Sequence, residues 1–126
     1  MDKLVILENV EYYIELLVKD VAKLEQGESP DLSCETAYYL KGLEQGLLYA
    51  DPNELTTLTS DICRYVYSPY DSFEAGGQRA ILHFKSSIMS LYLMAQSIIK
   101  DLGDLEEEEE RIDELFKSVF THTQEV

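Results

Sequence analysis

The longest apolar stretch of the chain, residues 78–102, constrains the fold more than any other segment. Between Ser86 and Ile99 it contains no charged residue. At 100° per residue its apolar side chains form an arc covering more than half of a helix, so we expect a central helix about 37 Å long, buried on most sides. The uncharged run is too short and too rich in serine for the roughly 18–20 apolar residues that a membrane span needs. The arc comprises Ile81, Leu82, Phe84, Ile88, Met89, Leu91, Tyr92, Leu93, Ala95, Ile98, Ile99 and Leu102.

The size and composition of the chain predict one compact unit. It has 126 residues, of which 45% are hydrophobic, with only six glycines and three prolines. A chain of this length buries roughly two thirds of its unfolded surface, so we expect residues 1–126 to form a single domain that needs no metal or disulfide. The cysteines, Cys34 and Cys63, fall in separate predicted helices, and the N-terminus lacks a signal-peptide pattern. These features predict free thiols in a reducing cytoplasm.

The net charge of −15 is concentrated at the two ends of the sequence. Residues 1–31 contain 8 acidic and 3 basic side chains, and residues 101–126 contain 10 acidic and 2 basic ones. A strongly negative field disfavours direct binding of nucleic acid, whereas it attracts and steers a basic protein. We therefore expect a basic protein partner.

The first helix is predicted over residues 3–26. It carries an apolar seam with spacings of three and four residues, which is typical of a helix packed along a neighbour. One edge of the seam bears a carboxylate stripe of Glu8, Glu11 and Glu15, predicted to be a solvated face or a partner contact. The far side bears a smaller apolar patch, Val5, Tyr12 and Leu16, for which we consider ordinary surface exposure, self-association and partner binding. The seam comprises Leu7, Val10, Ile14, Leu17, Val21 and Leu24.

A second helix is predicted to follow the linker at residues 26–33 and to run to about Ala50. It contains Gly42 and Gly46, which cost roughly 1 kcal/mol each relative to alanine in a helix. We interpret the glycines as a site of close approach to the serine-bearing strip of the central helix, with a ligand groove as the alternative. The predicted core face comprises Leu32, Tyr39, Leu40, Leu43, Leu47 and Ala50.

Local signals define the third helix and the loop that follows it. Asp51 is predicted to cap the helix, with Pro52 in its first position and Glu54 as the capping-box partner. The helix is predicted to end near residues 68–69, because the residue before a proline disfavours helical geometry. The next loop is rich in aromatic residues, so it either binds a ligand or partner or seals the end of the bundle. The candidate residues there are Tyr67, Tyr70, Phe73 and Arg79.

The last helix is predicted from Leu105 to about Phe120. Its first two turns carry charge on every side and cannot pack into a core, although the helix macrodipole favours carboxylates at this end. They are expected to project into solvent or onto a partner. These carboxylates belong to Glu106, Glu107, Glu108, Glu109 and Glu110.

No motif in the chain predicts catalysis. The two histidines, His83 and His122, are not at ligand spacing from a cysteine or from each other, so no metal site is predicted. Neither cysteine lies in a recognisable nucleophile context. We expect an all-α bundle of about five helices that requires no cofactor and is not an enzyme.

Three hypotheses for function follow. A small acidic helical bundle is similar in character to immunity proteins and phage-encoded inhibitors, which cover the basic nucleic-acid-binding face of a target. The concentration of negative charge at the two ends of the sequence, in residues 106–110 and in the stripe of Glu8, Glu11 and Glu15, favours a non-catalytic protein that engages and inhibits a basic, nucleic-acid-handling partner. The alternatives are a protein that binds or sequesters a nucleotide through the aromatic loop at residues 65–79, and a structural or regulatory bundle that self-associates.

Overall fold

A computed structural model of the chain describes residues 3–30, 34–47, 49, 53–71 and 78–124. These residues form five α-helices and no strand, which confirms the predicted all-α bundle. The helices are α1 (Lys3–Glu25), α2 (Cys34–Leu47), α3 (Glu54–Asp71), α4 (Gln78–Leu102) and α5 (Glu106–Gln124).

Helix α4 is the centre of the bundle, because it packs against α1, α3 and α5. Helices α1 and α4 are antiparallel, because Lys3 at the start of α1 pairs with Asp101 at the end of α4. Lys3 Nζ lies 3.0 Å from Asp101 Oδ2 and 2.7 Å from Oε1 of Glu54 in α3. Helix α2 lies outside this group, and among the described residues it packs against α3 alone. The largest fully buried side chain is Phe84, and the surrounding core includes Ile6, Leu7, Val10, Ile14, Leu17, Val66, Ile88, Leu91, Ala95 and Ile112.

The predicted seam of α1 is confirmed. From Leu7 to Val21 every seam residue is buried, and only Leu24, near the end of the helix, is half-buried. The helix ends at Glu25, and Gly27 follows with a φ of 80°, a conformation that glycine adopts without steric cost. The amide groups of Gly27 and Glu28 donate to the carbonyls of Leu24 and Lys23, which completes a Schellman cap.

Helix α4 is less enclosed than its apolar arc predicts. Leu82 and Leu93 lie on its outer side and are 65% and 55% exposed. They are exposed because α1, α3 and α5 together cover only part of the circumference of α4. Among the described residues, no helix combines the length and hydropathy needed to cross a membrane.

The predicted limits of α3 are wrong at both ends. Its first turn is capped by Asn53, whose side-chain oxygen accepts a hydrogen bond of 2.9 Å from the amide of Thr56. Asp51 and Pro52, the predicted cap and first residue, lie outside the described residues. At the other end the helix continues through Pro69 to Asp71. Packing of Pro69 and Tyr70 against the bundle offsets the hydrogen bond that proline cannot donate.

The predicted core face of α2 is confirmed only in part. Leu40 is buried and Leu47 is half-buried, but Tyr39 and Leu43 are 68% and 38% exposed, because among the described residues α2 packs against a single helix. Close helix approach at the glycines is contradicted, since a Cβ built on Gly42 or Gly46 meets no atom within 4 Å. Leu32 and Ala50, assigned to the same face, lie outside the described residues.

Substitution of these two glycines tests the exposure of α2. We expect Gly42→Ala and Gly46→Ala each to raise the free energy of unfolding by about 0.5–1 kcal/mol, because the methyl group meets no neighbour and alanine favours the helix. Urea unfolding followed by circular dichroism measures the change. Gly27→Ala is the control and should destabilise, since its φ of 80° strains any other residue. Destabilisation by either α2 substitution would contradict an open face.

Candidate partner-binding surface

The N-terminal turns of α5 present a dense group of carboxylates. Glu106, Glu107, Glu109 and Glu110 are exposed, and Glu108 is half-buried on the side that faces α1. The helix begins at Glu106, where the carbonyl of Leu105 accepts the amide of Glu109 at 3.0 Å. Four glutamates in the first turn are stabilised there by the partial positive charge of the helix terminus.

An ion pair joins this part of α5 to α1. Arg111 Nη1 lies 3.1 Å from Glu11 Oε2, across 100 positions of the sequence. Glu11 is only 9% exposed, and its other oxygen, Oε1, is buried with no hydrogen-bond donor among the residues that the structure describes. Burial raises the pKa of Glu11, and the nearby carboxylates of Glu108 and Glu8 act in the same direction, whereas Arg111 opposes the shift. Glu11 is therefore a structural residue at the α1–α5 contact, not part of an exposed stripe as the sequence predicts.

The two acidic regions predicted separately from the sequence are neighbours in the fold. Glu8 and Glu108 both act electrostatically on Glu11, which places the α1 and α5 carboxylates on adjoining sides of one contact. Glu15 is exposed one turn further along α1 and pairs with Lys19 at 3.3 Å. We define the acidic surface as those carboxylates of the α1 stripe and of residues 106–110 that reach solvent. It comprises Glu8, Glu15, Glu106, Glu107, Glu108, Glu109 and Glu110.

Aromatic packing fixes the orientation of α5 on α4. The Tyr92 hydroxyl donates to Asp113 at 2.6 Å and accepts from Gln96 at 2.7 Å. The hydrogen bond to Asp113, together with burial, raises the pKa of Tyr92 to about 12, so this hydroxyl keeps its proton at physiological pH. The ring of Tyr92 stacks on Phe116 with centroids 4.1 Å apart, and Phe116 stacks on Phe120 at 4.4 Å. The acidic turns of α5 therefore extend from a firmly packed helix.

A concavity of about 400 Å³ lies beside the acidic surface at the α4–α5 turn. Its wall combines the ammonium group of Lys100 and the amide of Gln96 with the carboxylates of Asp104, Glu106 and Glu109. Gly103 and Asp104 shape the turn with φ of 71° and 55°. The sequence gives no sign of this concavity, because its wall depends on how α5 folds back against α4.

The aromatic residues predicted as a ligand loop are directed largely into the bundle. Tyr67 and Tyr70 belong to the last turns of α3, and both are half-buried. The Tyr67 hydroxyl donates to Glu44 of α2 at 3.0 Å, and the Tyr70 hydroxyl donates to the buried carboxylate of Asp20 in α1. Tyr70 also packs edge-to-face on Phe84 with centroids 4.8 Å apart. Arg79 is exposed at the start of α4, and Phe73 lies outside the described residues.

The patch predicted on the far side of α1 reaches solvent. Val5 and Tyr12 are 40% and 58% exposed, and Leu16 is half-buried. The ring of Tyr12 lies edge-to-face on that of Tyr13, with centroids 5.3 Å apart.

The described cysteine and histidine side chains, Cys63 and His83, contribute to packing and hydrogen bonding within the bundle. Cys63 is buried as a free thiol, and burial raises its pKa to about 11, which keeps it protonated at neutral pH. His83 Nε2 of α4 lies 3.2 Å from the hydroxyl of Ser68 in α3, so this histidine forms a hydrogen bond between the two helices. The side chains of Cys34 and His122 lie outside the described residues. Within the part of the chain that the structure describes, no three metal-ligating side chains converge.

No protein-family model, curated protein or solved structure matches this chain. Its candidate site is therefore defined by its own geometry, which is an acidic surface spanning α1 and α5 with a concavity at one edge.

Proposed function

We propose that this protein is a non-catalytic binding protein whose acidic surface engages, and thereby inhibits, a basic nucleic-acid-handling protein. One observation carries the proposal: carboxylates from the two ends of the sequence adjoin across the α1–α5 contact. Glu11 and Arg111 form an ion pair across that contact, and the remaining carboxylates reach solvent around it. When a basic partner binds this surface, the carboxylates occupy the basic residues that would otherwise bind nucleic-acid phosphates.

The charge of the protein should increase both the association rate and the affinity for a basic partner. A net charge of −15 on a chain of 126 residues produces a long-range field that steers positively charged surfaces toward it. Steering of this kind weakens as salt shortens the screening length to about 8 Å at physiological ionic strength. We further propose that the protein acts in the cytoplasm, because the buried free thiol of Cys63 is typical of a reducing compartment.

A matched pair of variants tests which carboxylates matter. Glu107→Gln with Glu110→Gln removes two exposed charges from the acidic surface, and Glu25→Gln with Glu28→Gln removes two exposed charges beyond it. We expect the first variant to bind a fluorescent octalysine peptide roughly two- to thirtyfold more weakly than the wild type, given about 0.2–1 kcal/mol for each of the two exposed charge pairs. The second should bind nearly as the wild type does. Fluorescence anisotropy at 25 and 300 mM NaCl measures both affinities.

Two outcomes would argue against the proposal. Binding that does not weaken between the two salt concentrations would mean that the carboxylates do not supply the affinity. Equal weakening in the two variants would mean that the peptide senses only the net charge of the protein, not the acidic surface.

A further inference from the structure

The outer side of α4 carries a second seam, opposite the side that packs into the core. Its members follow one another at spacings of four, three and four residues, which is typical of a helix packed along another helix. In the described structure this side reaches solvent, since Leu82 and Leu93 are 65% and 55% exposed. We call it the outer seam, and it consists of Leu82, Ser86, Met89 and Leu93.

The outer seam also differs in charge from the rest of the protein. The chain has 25 acidic residues, yet α4 has none before its second-last position. Arg79 and Lys85 flank the first half of the seam and form no ion pair within the part of the chain that the structure describes. Carboxylates of α5 border the second half, because Asp113 accepts a hydrogen bond from Tyr92 at 2.6 Å and Glu109 lines the concavity at the end of α4. The two halves therefore have surroundings of opposite charge.

The outer seam is complementary to a second copy of itself in antiparallel orientation. When a two-fold axis passes between Ser86 and Met89, each Ser86 meets the Met89 of the other copy. The same axis places each Leu82 against the Leu93 of the other copy. Large side chains then meet either each other or a serine that leaves room for them, which is how packed helices interdigitate. A parallel pair would instead leave Ser86 against Ser86.

The antiparallel orientation also brings opposite charges together. Lys85 and Tyr92 lie on one edge of α4, two turns apart. In an antiparallel pair this edge faces the same edge of the second helix, so Lys85 lies within one turn of Tyr92 of the second copy and near its Asp113 and Glu109. In a parallel pair this edge would face Ser90, which offers no charge. The counterions that the outer seam lacks therefore occur on this chain itself, and they favour a second copy as its occupant.

We propose that the outer seams of two copies pair in antiparallel orientation to form a symmetric dimer. This inference goes beyond the proposed function and does not depend on it. Two chains with a net charge of −15 repel each other at long range, so at low salt and low concentration the protein is a monomer in which Leu82 remains exposed. Salt screens this repulsion, so dimerisation should strengthen with salt, whereas binding to a basic partner weakens.

Sedimentation equilibrium in 25 and 300 mM NaCl tests the inference. We expect a mass of 14.5 kDa for dilute protein at low salt, and a mass that approaches twice this value as the protein concentration rises at high salt. Leu82→Gln with Leu93→Gln should lower the association constant at least tenfold, because each copy loses two apolar side chains from the contact. Val5→Gln with Tyr12→Gln alters two exposed apolar residues of α1 and should leave the dimer unchanged. Thermal unfolding of the dilute proteins verifies that both variants fold.

A charge exchange tests the antiparallel orientation. Lys85→Glu should weaken the dimer roughly two- to thirtyfold, since two exposed charge pairs are lost. Adding Glu109→Lys should restore most of the affinity, because it returns an opposite charge to the facing edge. Lys19→Glu on α1 is the control for net charge and should weaken the dimer less than Lys85→Glu does, since Lys19 pairs with Glu15 of its own chain.

Three results would overturn the inference. A protein that stays monomeric at every concentration in 300 mM NaCl has no such dimer, and its binding to phosphatidylserine vesicles would then assign the outer seam to a membrane surface. A dimer that survives Leu82→Gln with Leu93→Gln, or one that Val5→Gln with Tyr12→Gln dissociates, uses another surface. A dimer that Glu109→Lys does not restore in the Lys85→Glu background is not antiparallel. Each result leaves the proposed function standing, since octalysine binding tests the acidic surface separately.

Discussion

We expect replacement of Phe84 by alanine to lower the free energy of unfolding by about 3–5 kcal/mol. Phe84 is fully buried in the middle of the bundle, where its ring lies 4.8 Å from that of Tyr70. Its removal leaves a cavity that α1, α3 and α4 together enclose and that cannot collapse without moving a helix. This loss is a large part of the 5–15 kcal/mol that usually stabilises a small domain.

Leu82→Ala on the same helix is the matched control. It also truncates a large apolar side chain, but Leu82 is 65% exposed, so its effect should stay within about 0.5 kcal/mol. Urea unfolding of both variants at two protein concentrations measures the difference. Comparable losses for Leu82 and Phe84 would mean that the outer side of α4 is covered in solution, and a concentration-dependent loss would identify a second copy as the cover.

The contrast between the buried side of α4 at Phe84 and its exposed side at Leu82 shows what the sequence predicts well. Periodicity places Phe84, Ile88 and Leu91 on one side of a helix, and their burial follows once any neighbour packs there. It does not specify how many neighbours a helix has. Leu82 on α4 and Tyr39 on α2 are therefore exposed although both were assigned to apolar faces, because each lies where no second helix packs.

The candidate site shows the same division. Four of the five glutamates at residues 106–110 are exposed, as a helix turn charged on every side predicts, and Glu108 is half-buried. Glu11 breaks the pattern because its environment is set by Arg111, 100 residues away, and sequence spacing within α1 carries no information about that distance. The sequence contains one signal for this ion pair. Arg111 directly follows five consecutive glutamates and precedes the core residue Ile112. A lone cation beside a core position suggests a partner on another helix.

The ion pair between Glu11 and Arg111 yields the second large expected effect. We expect Arg111→Met to lower the free energy of unfolding by about 1–3 kcal/mol at pH 8, since it leaves the charge of Glu11 in a buried site without a counterion. Methionine retains much of the apolar stem that packs at the contact. The loss is smaller than for a fully buried pair, because the Arg111 side chain is 57% exposed and water reaches it.

The loss should depend on pH with a sign opposite to that of an ordinary ion-paired carboxylate. The pKa of Glu11 is raised above 4.5 by burial, so the folded state binds a proton more tightly than the unfolded state does. The contribution of this site to stability therefore rises as the pH falls through the raised pKa and declines as the pH increases. Arg111 opposes the pKa shift, whereas Glu108 and Glu8 enhance it, so Arg111→Met raises the pKa further and steepens the dependence.

Urea unfolding at pH 5 and pH 8, with Glu11→Gln as the second arm of a double-mutant cycle, separates this effect from general destabilisation. The difference in the free energy of unfolding between Arg111→Met and the wild type should be smaller at pH 5 than at pH 8, because a carboxyl group with a raised pKa is protonated to a greater extent at the lower pH. Carboxylates that both proteins share cancel in this difference. Glu11→Gln should change stability by less than about 1 kcal/mol, because the lost ion pair is offset by removal of a buried charge. In the Glu11→Gln background, Arg111→Met should cost little at either pH. A loss that is equal at both pH values, or undiminished in that background, would mean that Arg111 stabilises the α1–α5 contact by packing alone.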